Sequence, residues 1–287
     1  MRKREWAKEK PTGDSNQKLF KNRFVKHEIE PRWPSLVGHR LGKARVAGSK
    51  PARGSTRSRQ LEVMRVKLKI LYDNEAVDGF RSGWGFSCSV EKDGEVVLFD
   101  VGADLETLLF NAEKLSFDFG TVGKIVLSHE HGDHVGGIRV VDECGKVEVF
   151  VPKSFSSGFK RRLASRANVR LIEVGEAREI GVDIFTSGEL GTFIKEQSLV
   201  VKTRMGAVVV TGCAHPGLEK ILEAVASRFG RIYGVVGGFH GFSKLEALKG
   251  LELIVPCHCT TRKRDILRLY EKTSRRCAAG CTISVPS

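Results

Sequence analysis

Two rhythms divide this chain. From residue 64 onward, short runs rich in Val, Ile, Leu and Phe alternate with longer stretches in which apolar residues recur every three or four positions. The short runs fit strands buried on one or both faces, and the longer stretches fit amphipathic helices. The pattern predicts strands over 66–72, 86–91, 96–100, 124–128, 147–151, 169–174, 199–203, 207–211, 231–236 and 251–256. It predicts helices over 105–115, 134–144, 217–229, 243–249 and 261–272, with Gly-rich turns between many of these elements. So many strands with helices between them point to two sheets packed together and covered by helices. A doubly wound sheet fits the periodicity as well.

Residues 1–63 keep no helical or strand period and are rich in Lys, Arg, Gly, Ser and Pro. Such a segment buries too little apolar surface to offset its chain entropy, so it reads as a basic, disordered extension. Met64 opens Met-Arg-Val-Lys-Leu-Lys-Ile-Leu-Tyr, a first strand. The expectation is therefore a natural start at Met64, with 1–63 not native to the protein and packing little against a domain over 64–287.

Charge sharpens this division. The chain carries a formal +14, yet 17 Lys and Arg against 6 Asp and Glu fall within residues 1–63, which leaves the rest near neutral. A nucleic-acid-binding or nuclease reading would rest on the basic segment alone, since 64–287 shows no basic stripe interleaved with aromatics. No apolar run reaches the length of a membrane span. Seven cysteines without an apolar leader read as reduced thiols of a cytoplasmic protein.

Candidate chemistry concentrates after the strand over 124–128, in Ile125-Val-Leu-Ser-His-Glu-His-Gly-Asp-His-Val-Gly-Gly. His129, His131, Asp133 and His134 put four ligating side chains within six residues. One tetrahedral ion cannot conveniently take all four from so short a loop, whereas two ions sharing the loop can, with further ligands from elsewhere. Three more histidines, His215, His240 and His258, each follow an apolar strand run, as if delivered to the same edge of a sheet.

The run from His129 to His134, preceded by Phe99-Asp100-Val-Gly, resembles the metallo-β-lactamase superfamily. Within it, Leu71-Tyr-Asp-Asn, Trp84-Gly-Phe-Ser, Thr211-Gly-Cys-Ala-His-Pro-Gly, Gly237-Gly-Phe-His and Pro256-Cys-His-Cys-Thr are similar to one branch. That branch is the 7,8-dihydropterin-6-methyl-4-(β-D-ribofuranosyl)aminobenzene 5'-phosphate synthase-like group of methanopterin-type cofactor biosynthesis. The resemblance covers essentially all of 64–287 and implies an α+β fold, a four-layer αββα sandwich of two mixed sheets flanked by helices. It implies two divalent ions, zinc first, with iron, manganese or magnesium also compatible.

By the same resemblance His129 and His131 hold the first ion and Asp133 and His134 the second. His258 completes the second site, and His215 is the best further ligand. Asp100 orients the metal loop from behind. Cys213 stands where many relatives place a bridging aspartate; it reads either as a thiolate ligand or as a small buried residue. Asp133 and His240 are the candidate catalytic residues. Asp73, Asn74, Trp84, Ser87 and Thr260 are the candidate substrate contacts, though Asp73 and Asn74 could cap a turn and Trp84 could be a rim aromatic.

The implied reaction is a transfer between two small molecules, a pterin methyl diphosphate and a phosphorylated ribosyl aminobenzene. A hydrolase of phosphoesters or lactones fits the same metal motif. A four-thiolate zinc site from Cys257, Cys259, Cys277 and Cys281 is a weaker alternative, because neither pair has the two-residue gap of zinc ribbons.

Overall fold

The fold is described from a computed structural model of the protein, covering residues 65–286. The expectations for 1–63 and for Met64 concern residues outside that range.

Among the described residues, thirteen strands form two sheets. The first sheet contains β1 (Arg65–Tyr72), β2 (Ser87–Lys92), β3 (Glu95–Phe99), β4 (Lys124–Val126), β5 (Val147–Pro152), β6 (Val169–Val174) and β13 (Thr282–Pro286), in the order β13-β1-β2-β3-β4-β5-β6. The second contains β7 (Glu176–Gly181), β8 (Ile184–Gly188), β9 (Leu199–Thr203), β10 (Gly206–Thr211), β11 (Ile232–Gly238) and β12 (Leu253–Cys257), in the order β12-β11-β10-β9-β8-β7. Both sheets are mixed. Strands β3 to β6 run parallel in the first, and β10 to β12 run parallel in the second.

Side-chain alternation makes the layers. On β10, Val208 and Val210 enter the core between the sheets while Ala207 and Val209 face helices. On β3, Val97 and Phe99 point to that central core and Leu98 points to the opposite layer. This is the period-two geometry of a strand buried on both faces. Helices α1 (Leu105–Lys114) and α3 (Ser157–Ala164) cover the first sheet through Leu108, Phe159 and Leu163. Helices α4 (Leu218–Phe229) and α5 (Lys263–Leu269) cover the second through Leu218, Ile221 and Ile266. The result is helix, sheet, sheet, helix: the α+β sandwich expected, and not a doubly wound sheet. No helix among the described residues is long and apolar enough to cross a membrane.

Two expected helices differ. The stretch 134–144 is one turn, α2 (Gly132–Val135), followed by a 3-10 segment, Ile138–Glu143. Gly136 and Gly137 break it because they press against the carbonyls of Ala103 and Val101, where a Cβ would collide. The stretch 243–249 is a short 3-10 turn, Leu245–Leu248. Strands β7, β8 and β13 and helix α3 went unpredicted. Each offers few apolar residues: β13 buries only Ile283 and Val285, and α3 buries only Phe159 and Leu163.

The parallel strands position the site. Strands running side by side in one direction deliver their carboxyl ends to one edge. The turns after β3, β4, β10, β11 and β12 carry Asp100, His129, Cys213 with His215, His240, and His258 respectively. Seven non-glycine residues among those described have positive φ, and four of them, Asp100, Ala214, His240 and His258, lie in these turns. Strained backbone of this kind persists only where surrounding packing enforces it.

Candidate metal centre

Asp100 organises the centre from beneath. Its carboxylate accepts from the Ser128 backbone N–H at 2.6 Å, the Ser128 hydroxyl at 2.7 Å and His134 Nδ1 at 2.7 Å. Because the Ser128 hydroxyl donates to Asp100, its oxygen accepts from His129 Nδ1, 2.8 Å away. Both imidazoles are thereby held with Nδ1 protonated and Nε2 free to bind a metal. Asn74 does the same for His258: its Oδ1 accepts from His258 Nδ1 at 2.8 Å and its Nδ2 donates to the His258 carbonyl at 3.1 Å. Asp73, fully buried, accepts the His258 backbone N–H at 2.6 Å.

The donors converge in two groups. Asp133, His134, Cys213 and His258 form one, and His129, His131 and His215 the other; within each, one ligand atom per residue lies within 4.8 Å of the rest. His134 Nε2 is 3.1 Å from Cys213 Sγ, and His129 Nε2 is 3.0 Å from His131 Nδ1. The groups adjoin, with the His129 and His134 ring centroids 4.3 Å apart. His215 Nε2 and His258 Nε2 are buried and make no hydrogen bond. Asp133 Oδ2 sits 3.2 Å from the latter but out of line for one. A buried polar atom without a partner is costly, and two of them aimed into a cluster of lone pairs fit coordination of divalent cations. Imidazole, carboxylate and thiol donors in this mixture fit zinc, with iron and manganese also accommodated.

Electrostatics keeps His129, His215 and Asp133 ready to coordinate. Burial pushes His129 far below the ordinary imidazole range, and charge on His134, His131 and His215 pushes it further. Burial, then His240 and His131, lowers His215 to about 4. Both are neutral ligands at neutral pH. Burial acts against the Asp133 carboxylate, but His258 and His134 overcome it and hold that group well below its usual range. Burial also opposes charge on His134, where Asp100 outweighs it and raises the pKa.

Glu196 and Gln197, which sequence patterns did not single out, and Cys259, considered there only for a four-thiolate site, complete the centre. Glu196 is buried, and its carboxylate accepts the backbone N–H groups of Gly212, Cys213, Ala214 and His215 at 2.9–3.1 Å. It shapes the turn that carries Cys213 and His215. Burial pushes the Glu196 carboxyl up, and the N–H groups of His215 and Ala214 pull it part of the way back. Cys259 places its sulfur 3.3 Å from Cys213 Sγ, within hydrogen-bond reach. Gln197 donates to the carbonyls of Leu127 and Phe150 and ties the two sheets together just under the metal loop. The one available signal was Glu-Gln-Ser ahead of an apolar strand, three polar residues that are all buried.

Of the expected substrate contacts, Trp84 is 64% exposed at the rim, its ring centroid 5.2 Å from that of His258. Asn74 bonds to His258 and accepts the Gly85 backbone N–H, and Asp73 uses Oδ1 on the His258 backbone N–H while its Oδ2 is buried without a hydrogen bond. Ser87 and Thr260 are corrected: Ser87 is buried and donates to the Asp100 carbonyl, while the Thr260 hydroxyl donates to the Cys257 carbonyl and accepts from Phe239 N. Both hydroxyls bond within the fold. His240 is exposed, 4.9 Å from His215 between ring centroids. The four-thiolate alternative is overturned as well. Cys259 pairs with Cys213, and Cys257, Cys259, Cys277 and Cys281 form no donor group among the described residues.

A family model of the metallo-beta-lactamase superfamily matches residues 87–258. The chain belongs to the metallo-beta-lactamase superfamily. An uncharacterised protein of Methanocaldococcus jannaschii is 31% identical, the match covering 67% of this chain and 90% of that protein. The 7,8-dihydropterin-6-methyl-4-(beta-D-ribofuranosyl)-aminobenzene-5'-phosphate synthase of the same organism is 27% identical, over 66% of this chain and 84% of the synthase. A solved structure, Tm1679, described as a metal-dependent hydrolase of the beta-lactamase superfamily, is 31% identical with a TM-score of 0.64, covering 77% of this chain and all of that one.

Proposed function

We propose that this superfamily member is a two-metal transferase. It joins a dihydropterin-6-methyl diphosphate to 4-(β-D-ribofuranosyl)aminobenzene 5'-phosphate and releases diphosphate. The observation that carries the reading is Trp84, an exposed indole set against the metal-facing His258. A flat heteroaromatic ring stacked there places an attached methylene diphosphate over the donor cluster. The likeness to the synthase, over most of its length, supports the same substrates.

His129, His131 and His215 would hold one divalent ion, and Asp133, His134, Cys213 and His258 the other. When bound, the ions supply positive charge against the diphosphate oxygens. The chain's own residues do the rest. Trp84 orients the pterin. The bond between the methylene carbon and the diphosphate oxygen breaks, and its electron pair leaves with diphosphate. The acceptor's electron-rich nitrogen or carbon bonds to the methylene. His240, exposed at the edge of the cluster, takes the proton this nucleophile sheds. Asp133 stays ionised and adds only one negative charge to a donor set otherwise rich in imidazole, which favours an anionic substrate.

A second reading, a metal-dependent hydrolase, is favoured by the likeness to Tm1679. The test is turnover by the metal-loaded protein. Diphosphate release that requires both the pterin diphosphate and the aminobenzene riboside supports the transferase. Hydrolysis of simple phosphoesters or lactones, with no condensation, supports the hydrolase.

A further inference from the structure

Beside His215 lies a cavity of about 400 Å³ whose lining includes Gly191, Phe193, Ile194, His215, Pro216 and Lys220, and neither Trp84 nor His258. Its wall is a hairpin closed by reciprocal backbone bonds between Leu190 and Glu196, at 2.9 and 3.0 Å. Two features fix this hairpin against the metal centre. Glu196 at its base holds the turn bearing His215, and Gly191, with φ of +96°, lets the loop seat against Pro216, where a Cβ would lie 3.2 Å from the proline ring. The tip presents Phe193 fully exposed and Ile194 39% exposed. Lys195 on the hairpin reaches Glu189 at 3.5 Å, but Lys220 makes no ion pair among the described residues.

An unpaired cation, an exposed phenyl ring and an aliphatic wall therefore share one cavity with an imidazole of the cluster. Resting on the transferase reading, we infer that this cavity seats the phosphorylated aryl acceptor, with the aryl ring on Phe193 and the phosphate at Lys220. The two flat reactants then reach the metals from separate seats, the pterin on Trp84 and the acceptor on Phe193. Such an arrangement holds the nucleophile and the methylene carbon face to face without a shared binding surface. The chemistry of the cavity selects both an aryl group and a phosphate, so each half of the ligand has its own residue to report on it.

The test is calorimetric binding to the full chain loaded with zinc, using 4-(β-D-ribofuranosyl)aminobenzene 5'-phosphate, ribose 5-phosphate and phenylphosphonate, the last having no ester to cleave. Phe193→Ala is expected to weaken the two aryl ligands by roughly three- to tenfold and to leave ribose 5-phosphate unchanged, with Phe193→Tyr restoring the loss. Lys220→Ala is expected to weaken all three by about tenfold. Both positions are exposed, so the variants keep the fold. Unchanged constants in both variants, or no binding of either aryl ligand, would overturn the assignment. If phenylphosphonate depends on both residues while the riboside does not bind, the cavity is an aryl phosphate site and the transferase reading fails. If the riboside condenses equally well in both variants, the transferase reading stands and the acceptor site lies elsewhere.

Discussion

Replacing Glu196 by Gln probes the link between backbone and metal centre with a single atom changed. One carboxylate oxygen accepts from Gly212, Cys213 and Ala214, and the other from His215 at 3.0 Å. Whichever way the new amide turns, its NH2 faces at least one of these N–H donors. The least damaging choice sets it against His215, so that one bond to a charged acceptor is lost and a buried donor is left unpaired. A hydrogen bond to a charged group contributes roughly 1.5–3 kcal/mol, and an unpaired buried donor costs roughly 1–3 kcal/mol. The two overlap, so the expected loss is about 2–4 kcal/mol. For a domain of this size that lowers Tm by roughly 5–15 °C. Thermal unfolding of the metal-free protein measures this stability term without any contribution from bound ions. Metal content of the same variant then reads the displacement of His215. A Glu196→Gln protein that melts within about 2 °C of the unmodified chain and holds its full metal complement would refute the role given to this carboxylate.

Further outcomes follow from the same geometry. Asn74→Ala removes the acceptor for His258 Nδ1 and should weaken binding at the Asp133, His134, Cys213 and His258 site by roughly 10–100-fold, measured by competition against a chelator. Trp84→Ala removes an exposed side chain, so stability should change by less than about 0.5 kcal/mol while KM for the pterin substrate rises; an unchanged KM would remove the indole from the substrate site. In the metal-free protein, His129 and His215 fold with pKa values below that of an unfolded histidine. The unfolded chain then binds more protons, so stability is lost as pH falls from about 6.5 toward about 4. Urea unfolding at several pH values checks the sign, and a metal-free protein that grows more stable over that interval would contradict it.

The metal loop and the apolar strands β1–β6 and β9–β12 were legible because their signals are local. An apolar run that ends in four ligating side chains announces a strand and a metal turn together, and His215, His240 and His258 each follow such a run. Register and long-range polar contacts were not legible. Glu196 lies well before the turn it shapes, and its one local signal is the polar run it opens ahead of β9. Asn74 was noticed, but only the fold shows that it reaches His258, 184 positions away in sequence. Ser87 was a candidate contact only through the family resemblance, and strand β2 carries it into the interior. The helix expected over 134–144 failed for a similar reason. Its apolar spacing was right, but Gly136 and Gly137 are shaped by the loop over 101–103, which no local pattern reveals.

Metal stoichiometry tests the central claim most directly. Elemental analysis of the purified chain, reconstituted in turn with zinc, iron and manganese, should find about two ions per chain with the preferred metal. The His131→Ala, Asp133→Ala double variant removes one donor from each group and should lose them. A chain that binds no ion under any of these conditions, or a double variant that keeps both, would contradict the two-site centre.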